Sequence, residues 1–241
     1  MTALLAAGPV IPNFGGGPNS CVRQNGGFCW GWFKDNWSDT FAPRLVEHIE
    51  LTLAALAIGF AIAFVAALFA YRHGWFELPF SVFSGFLYTI PSLALFQVLV
   101  GVTGLTLTTA LIPLVTYTLL ILFRNTLIGL REVPDEVREA ARGMGFTRRQ
   151  TLVRVELPLA LPAILAGLQI AAVTVVSLAT VAAFVYDHGL GSPIFEAIGR
   201  GPFKTELIAA GVLAILLGIL SYALFALVQR FATPWARARR A

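Results

Sequence analysis

The residue types that run covalent or acid–base chemistry are present in this chain, but their spacing lets none of them work together. His48, His73 and His188 are scattered, Ser192 stands in no GxSxG elbow, and Cys21 and Cys29 have no base beside them. No acid interrupts the long apolar runs to relay a proton or pair with a cation, because Glu47 and Glu50 lie at the edge of the first run. No GxxxxGK[ST] phosphate loop occurs, and no set of residues reads as a metal site. The chemistry left to the chain is noncovalent. Its densest carrier is Glu139 to Pro158, EAARGMGFTRRQTLVRVELP, a polar stretch set between two long uncharged segments.

The elements that position this stretch follow from composition. Hydrophobic residues fill 57% of 241 positions and charged ones only 12%, with mean hydropathy +0.78, against roughly 25% charge in an ordinary soluble domain. A helix needs about 20 apolar residues to cross hydrocarbon roughly 30 Å thick. Five stretches qualify. The first runs from about Arg44 to Tyr71; Leu78 to Phe123 is too long for one helix and divides at Gly101, Thr103 and Gly104. The fourth is Leu157 to Tyr186 and the fifth Leu207 to Gln229. Helices are expected because an open strand edge would leave amides unpaired in lipid, and no run alternates as a barrel strand does. The expected fold class is an all-α integral membrane protein with five transmembrane helices. Residues 1–43 form an extracytoplasmic or interfacial tail, 44–231 the membrane domain and 232–241 a basic cytoplasmic tail.

Basic residues orient such a bundle. With Arg124 to Glu156 in the cytoplasm, twelve Lys and Arg lie inside, seven of them in that segment, against five outside: Arg23, Lys34, Arg44, Arg200 and Lys204. The N-terminus is then outside and the C-terminus inside. The net charge of +4 is explained by topology and by membrane lipid headgroups, with no nucleic acid as partner. On the outer side, an oxidising environment permits a disulfide between Cys21 and Cys29 as readily as two free thiols. Phe28, Trp30, Trp32, Phe33 and Trp37 beside them fit a segment lying among headgroups. Met1 to Pro12 is apolar yet lacks the basic start of a signal peptide, and FGGGPNS after it is flexible.

The polar segment itself is expected to fold. Pro134 suits a first helical turn, and Asp135 and Glu136 follow where negative charge meets the helix dipole. Val133, Val137, Ala140, Ala141 and Met144 recur every three or four residues as one apolar face of a short amphipathic helix. Gly143 and Gly145 can supply the left-handed residue that ends it. Thr147 and Gln150 have the spacing of a capping box, so a second short helix starts at once, and Pro158 and Pro162 mark the start of the fourth span. A face of Ala, Val and one Met suits close approach by a protein better than rest on lipid, though these residues alone leave both open.

Polar residues within the spans are expected to face the bundle interior. They are Thr89, Ser92 and Gln97 in the second span, Tyr117 in the third, and Gln169, Thr174, Ser177 and Thr180 in the fourth. Each reads first as an interhelical hydrogen-bond partner and second as a contact to cargo. Pro91 and Pro113 are expected to kink their helices. Tyr88, Phe96 and Tyr117 offer aromatic faces to a quaternary ammonium ion, and the small residues from Ala166 to Ala183 suit close helix packing.

Glu139-Ala140-Ala141, three residues, Gly145, nine residues, Val155, one residue, then Leu157-Pro158 resembles the EAA loop of permease subunits of ATP-binding-cassette importers, with Val155 where isoleucine is usual. Tyr88 to Phe96, YTIPSLALF, with Arg124, Asn125 and Thr126 closing the third span, resembles the osmoprotectant permeases that import glycine betaine, carnitine or choline. Gly189 to Ile198, GLGSPIFEAI, is similar to an outer loop of the same group, and the likeness covers roughly residues 45–230. The resemblance implies a type I importer permease fold in a bacterial or archaeal cell membrane, with residues 131–158 docked on a cytoplasmic ATPase dimer. Glu139 would be a polar contact to that dimer, Ala140 and Ala141 the close-packing face, Gly145 the turn, and Leu157 and Pro158 the start of the next span. ATP would be bound by the partner, so no enzyme activity and no cofactor are expected here. A second permease subunit and an extracytoplasmic solute-binding protein complete the implied assembly. An amino acid or sulfonate is the alternative cargo; a membrane enzyme or a channel is disfavoured by the missing catalytic set, intramembrane charge and internal repeat.

Overall fold

Apolar runs of this length fold as helices because only then is every backbone amide paired within its own segment. The computed structural model describes residues 20–235. It contains α1 (Ser20–Arg23), α2 (Trp30–Asp35), α3 (Ala42–Arg72), α4 (Glu77–Thr89), α5 (Ser92–Thr103), α6 (Leu107–Arg131), α7 (Asp135–Gly143), α8 (Arg148–Thr151), α9 (Leu157–Ala182), α10 (Gly191–Gly199) and α11 (Lys204–Ala232), and no strand among the described residues. The apolar N-terminal run and Arg237, Arg239 and Arg240 lie outside them. Among the described residues, four segments are long and apolar enough to cross a membrane: Trp37–Arg72, Leu107–Arg131, Arg148–Ala182 and Lys204–Ala232.

The second expected span departs from a simple helix. It is α4 followed by α5, with a bend of 95° between them. Pro91 disfavours the helical region for the residue before it, and Ile90 accordingly has an extended ψ of 129°. The expected kink is therefore a break. Pro113, by contrast, lies inside an unbroken α6, where its missing N–H forgoes one bond to the Thr109 carbonyl without ending the helix. Gly104, with φ +70°, ends α5, and the Thr106 hydroxyl caps α6 by accepting from the Thr109 amide at 3.4 Å.

Contacts between distant residues set the direction of each helix. The start of α3 meets the end of α9 through His48 Nε2 and the Val176 carbonyl at 3.1 Å. The end of α3 meets the start of α9 through Tyr71, which donates to Glu156 at 2.9 Å. These two helices are antiparallel. Arg131 at the end of α6 grips Glu77 at the start of α4 through two bonds of 2.9 and 2.5 Å, and the Thr103 and Thr109 hydroxyls, 2.7 Å apart, join the end of α5 to the start of α6. Together α4 and α5 carry the chain from one end of the bundle to the other. One end thus gathers residues 72–77 and 131–156, and the other gathers residues 20–47, 183–206 and the α5–α6 turn; they are the loop end and the disulfide end below.

The core lies between α3, α6 and α9, where Ala63, Ala67 and Ala70 of α3 meet Leu114, Leu122 and Phe123 of α6 and Ala171, Val175 and Ala179 of α9. Small residues let the backbones approach. A Cβ added at Gly167 would sit 2.7 Å from the Asn125 Cβ, and one at Gly129 would sit 2.8 Å from the Ala163 Cβ, so α6 and α9 approach closely near the loop end. The most apolar stretch of α11 is different: only 6% of it is buried, which leaves Ile215, Leu216, Ile219 and Leu220 facing outward.

Candidate functional site

The polar loop between α6 and α9 folds into a helix, a turn and a second helix. Asp135 and Glu136 fill the first turn of α7, complementing its dipole. Gly145 takes φ +82°, its amide bonds the Arg142 carbonyl at 2.9 Å, and the Phe146 amide bonds the Ala141 carbonyl at 3.1 Å. That is a Schellman motif, in which a left-handed glycine lets two carbonyls of the last turn find donors. Gly143 stays within the helix. Thr147 and Gln150 cap α8 reciprocally: the Thr147 amide donates to Gln150 Oε1 at 2.8 Å and the Gln150 amide to Thr147 Oγ1 at 3.3 Å. From α8 the chain continues through a wide turn, Leu152–Glu156, straight into α9 at Leu157 and Pro158, so α8 and the membrane helix form one rod, Arg148–Ala182.

The loop shows two faces. Val133 and Ala141 are buried at 3% and 1% exposure against the bundle, whereas Met144 is 68% exposed and Ala140 is exposed with Glu136, Glu139 and Gly143. The single apolar face expected from spacing is therefore split. Its inner part belongs to this chain's own core, and its outer part, Ala140 and Met144 beside Glu139, is presented away from it.

Arg138 turns inward and ties α7 to the bundle. Its Nη2 donates to the Leu130 carbonyl at 2.9 Å, its Nη1 to Asp135 at 2.6 Å and its Nε to Glu156 at 3.1 Å. Its Cζ lies 6.0 Å from the centre of the Tyr71 ring, and Tyr71 shares Glu156 Oε1. Burial opposes the charge, but Asp135, Tyr71 and Glu156 outweigh it and hold the guanidinium pKa above the ordinary arginine value. This cluster was not found from sequence, because Glu156 lies 18 residues from Arg138 and 85 from Tyr71. The one local signal was the Asp135 to Arg138 spacing of three.

The polar residues of the spans fall into separate places. Tyr117 is buried and donates to the Ile90 carbonyl exposed by the α4–α5 break, and its ring meets that of Tyr88 at 5.6 Å. Pro91 and Ser92 flank the same break, and Gln97 lies exposed on α5. Phe96 is 0% exposed, so it packs the core and offers no face to a cation. Gln169 donates to Gln229 at 2.6 Å, and Gln229 to the Pro162 carbonyl at 2.8 Å: an interhelical clasp between α9 and α11. Thr89 and Thr174 return their hydroxyls to their own helices, at 2.7 and 2.9 Å. Ser177 and Thr180 line an open cavity of about 640 Å³ between α9, α10 and α11, with Tyr222 across from them.

At the disulfide end, Cys21 and Cys29 are bonded, with Cα atoms 5.8 Å apart. The loop they close sits on the start of α11, where the Cys29 amide donates to Thr205 Oγ1 at 2.8 Å and Asn25 accepts from the Lys204 amide at 3.0 Å. Val22, Trp32, Phe41 and Phe203 are buried beneath it. Beside it, Arg44 bridges Glu47 at 3.0 Å and Asp187 at 3.1 Å. His48 accepts from the Leu190 amide at 3.2 Å through Nδ1, which leaves its Nε2–H to donate to Val176.

The bundle and its folded polar loop, which presents a small-residue face, agree with what the chain is similar to. Residues 57–234 match the model of the binding-protein-dependent transport system inner membrane component family, and the chain belongs to that family. It is a permease subunit of an ATP-binding-cassette importer. It is 33% identical over 169 residues to the carnitine transport permease protein OpuCB of Listeria monocytogenes, covering 70% of this chain and 77% of that one. To the glycine betaine/carnitine/choline transport system permease protein OpuCD of Bacillus subtilis (strain 168) it is 34% identical, covering 88% and 84%. To the ergothioneine transport permease/ergothioneine binding protein EgtU of Helicobacter pylori (strain G27) it is 46% identical over 132 residues, 55% of this chain but 24% of that longer one. A solved inward-facing structure of the MetNI methionine ABC transporter shares the fold, with TM-score 0.71 and 22% identity, covering 79% of this chain and 94% of that one.

Proposed function

We propose that this permease imports a quaternary ammonium solute of the glycine betaine, carnitine and choline class. Alternating access is driven by a cytoplasmic ATPase dimer that grips residues 131–158. The observation that carries the coupling half is the split loop: its inner face packs on the bundle while Glu139, Ala140 and Met144 face away from it. In this reading Glu139 is the polar contact to the ATPase, exposed Ala140 permits close approach, Ala141 seats the helix inward, and Gly145 sets the angle into Leu157 and Pro158. The α4–α5 pair counts as the second of five spans, with the N-terminus and the disulfide outside and the loop end in the cytoplasm. The excess of arginine at the loop end supports that orientation. A second permease subunit and an extracytoplasmic solute-binding protein complete the importer, and the largely unburied α11 is consistent with a further partner or lipid.

The cargo half rests on the names of the relatives and on one feature of the spans. Tyr88, 41% exposed beside the α4–α5 break and braced by the buried Tyr117 ring, offers an aromatic face that can receive a trimethylammonium group. A second reading is favoured by the 46% identity to the ergothioneine permease: ergothioneine also carries a trimethylammonium group, so the same aromatic face would serve it. The test is uptake into vesicles holding the permease with its ATPase and binding protein, using labelled glycine betaine, carnitine, choline, ergothioneine and methionine. Saturable ATP-dependent uptake of one of the first four supports the class. Uptake of methionine alone contradicts it.

A further inference from the structure

We propose that Arg138, Glu156 and Tyr71 form the joint that passes movement of the coupling helix α7 into the membrane helices. All three act as positioning residues for transport. The inference rests on the coupling-loop reading above and adds a role for side chains that face away from the docking surface. α7 buries Ala141 and turns Arg138 inward, the arginine side chain being only 16% exposed on a helix otherwise largely open to solvent. That one guanidinium reaches three elements besides its own: the Leu130 carbonyl at the end of α6, Glu156 at the start of α9, and the Tyr71 ring at the end of α3.

Glu156 is the second half of the joint. Its side chain is 9% exposed, and it accepts from both Arg138 and Tyr71. It closes the wide turn Leu152–Glu156, which is continuous with α9 below and α8 above. A pull on α7 therefore reaches α9 by two routes, the backbone through Gly145 and the ion pair at Glu156; it reaches α6 through the backbone at residues 132–134 and the Arg138 bond to Leu130, and α3 through Arg138 at the Tyr71 ring. Hydrogen-bonded charges transmit displacement well because their geometry is specific, and Arg spans several acceptors at fixed angles where Lys would not. The Arg131 to Glu77 pair continues the linkage from α6 to α4.

The alternative is that the cluster merely keeps the loop folded. Breaking one partner of a buried pair leaves an uncompensated charge, so the main variant removes both: Arg138→Met with Glu156→Met. Tyr71→Phe, which deletes one hydroxyl from a partly exposed residue, is measured beside it. Each is reconstituted with the ATPase and binding protein, and three quantities are read: ATPase retained per permease, ATP hydrolysed, and uptake of a mixture of labelled glycine betaine, carnitine, choline and ergothioneine. The expected result is ATPase retention and hydrolysis within about twofold of the unmodified importer. Uptake per ATP falls at least tenfold in the double variant and about threefold in Tyr71→Phe. The proposal is overturned if uptake per ATP is unchanged in Tyr71→Phe, or if uptake, hydrolysis and ATPase retention fall together in the double variant. Ala140→Trp serves as the docking control: if it too leaves the ATPase bound and uptake normal, the coupling-loop reading fails, whatever the joint does.

Discussion

The two ends of the bundle are closed by different chemistry. At the disulfide end a covalent bond, a buried aromatic group and a hydrogen bond from the Cys29 amide to Thr205 hold a small cap on the start of α11. At the loop end charged and polar side chains, Arg138 with Glu156 and Tyr71, and Arg131 with Glu77, link the helices over an apolar cluster of Leu130, Leu152, Ala160 and Ile164. Covalent and apolar contacts lose their energy once the groups separate, whereas a guanidinium can exchange one acceptor for another as elements slide. Packed interfaces of this kind move between discrete arrangements rather than deforming smoothly. Under the proposed coupling, the disulfide end holds shape and the loop end receives work.

Substitutions at each end should break that comparison unequally. The largest effect is expected at the disulfide end, where a side chain at Gly191 would overlap the Thr180 carbonyl. Gly191→Leu should cost upwards of about 3 kcal/mol and leave little permease in a monodisperse peak on size exclusion; a normal yield would show that the α9–α10 turn is not tightly packed. At the loop end, Gly145→Val should fold and insert but lower uptake about tenfold, since a β-branched residue at φ +82° is strained by about 1–2 kcal/mol. Unchanged uptake would mean that the Schellman turn does not set the angle of the loop.

Smaller effects should be confined to stability. Replacing Cys21 and Cys29 together by serine frees a loop closed across a separation of 8 residues, worth about 2–3 kcal/mol in the chain-entropy account. The expected outcome is a lower melting temperature with uptake within twofold; a loss of uptake exceeding that of Gly145→Val would reverse the roles of the two ends. Thr205→Val strands the buried Cys29 amide at a cost of about 1 kcal/mol. Its melting shift should be the smallest of the set, checked in the same thermal scan.

Much of this was legible in the chain because the signals are local. Runs of uncharged residues gave the long apolar helices, and within one turn of helix Pro134 with Asp135 gave the start of α7 and Thr147 with Gln150 the cap of α8. The loop's two faces were not legible, because amphipathic spacing shows that Ala140 and Ala141 are apolar neighbours without showing which one the chain itself covers. Arg138 looked like one more basic residue of a cytoplasmic segment, since its partners are brought near only by the packing of α3, α6 and α9. Pro91 in an apolar run predicts a kink, yet the restraint it places on Ile90 is itself a signal for a break. Phe96 illustrates the opposite limit: an aromatic residue in a span is more often needed by the core than available to cargo.

The central claim is that the loop between α6 and α9 is where the ATPase takes hold. Ala140 is exposed on the outer face of α7, so Ala140→Trp adds bulk to the docking surface without entering the bundle. With the complete importer purified through a tag on the permease, the account predicts that the permease is recovered in normal amount while the ATPase no longer accompanies it and solute uptake is lost. Recovery of the ATPase in its usual ratio, with uptake intact, would contradict it.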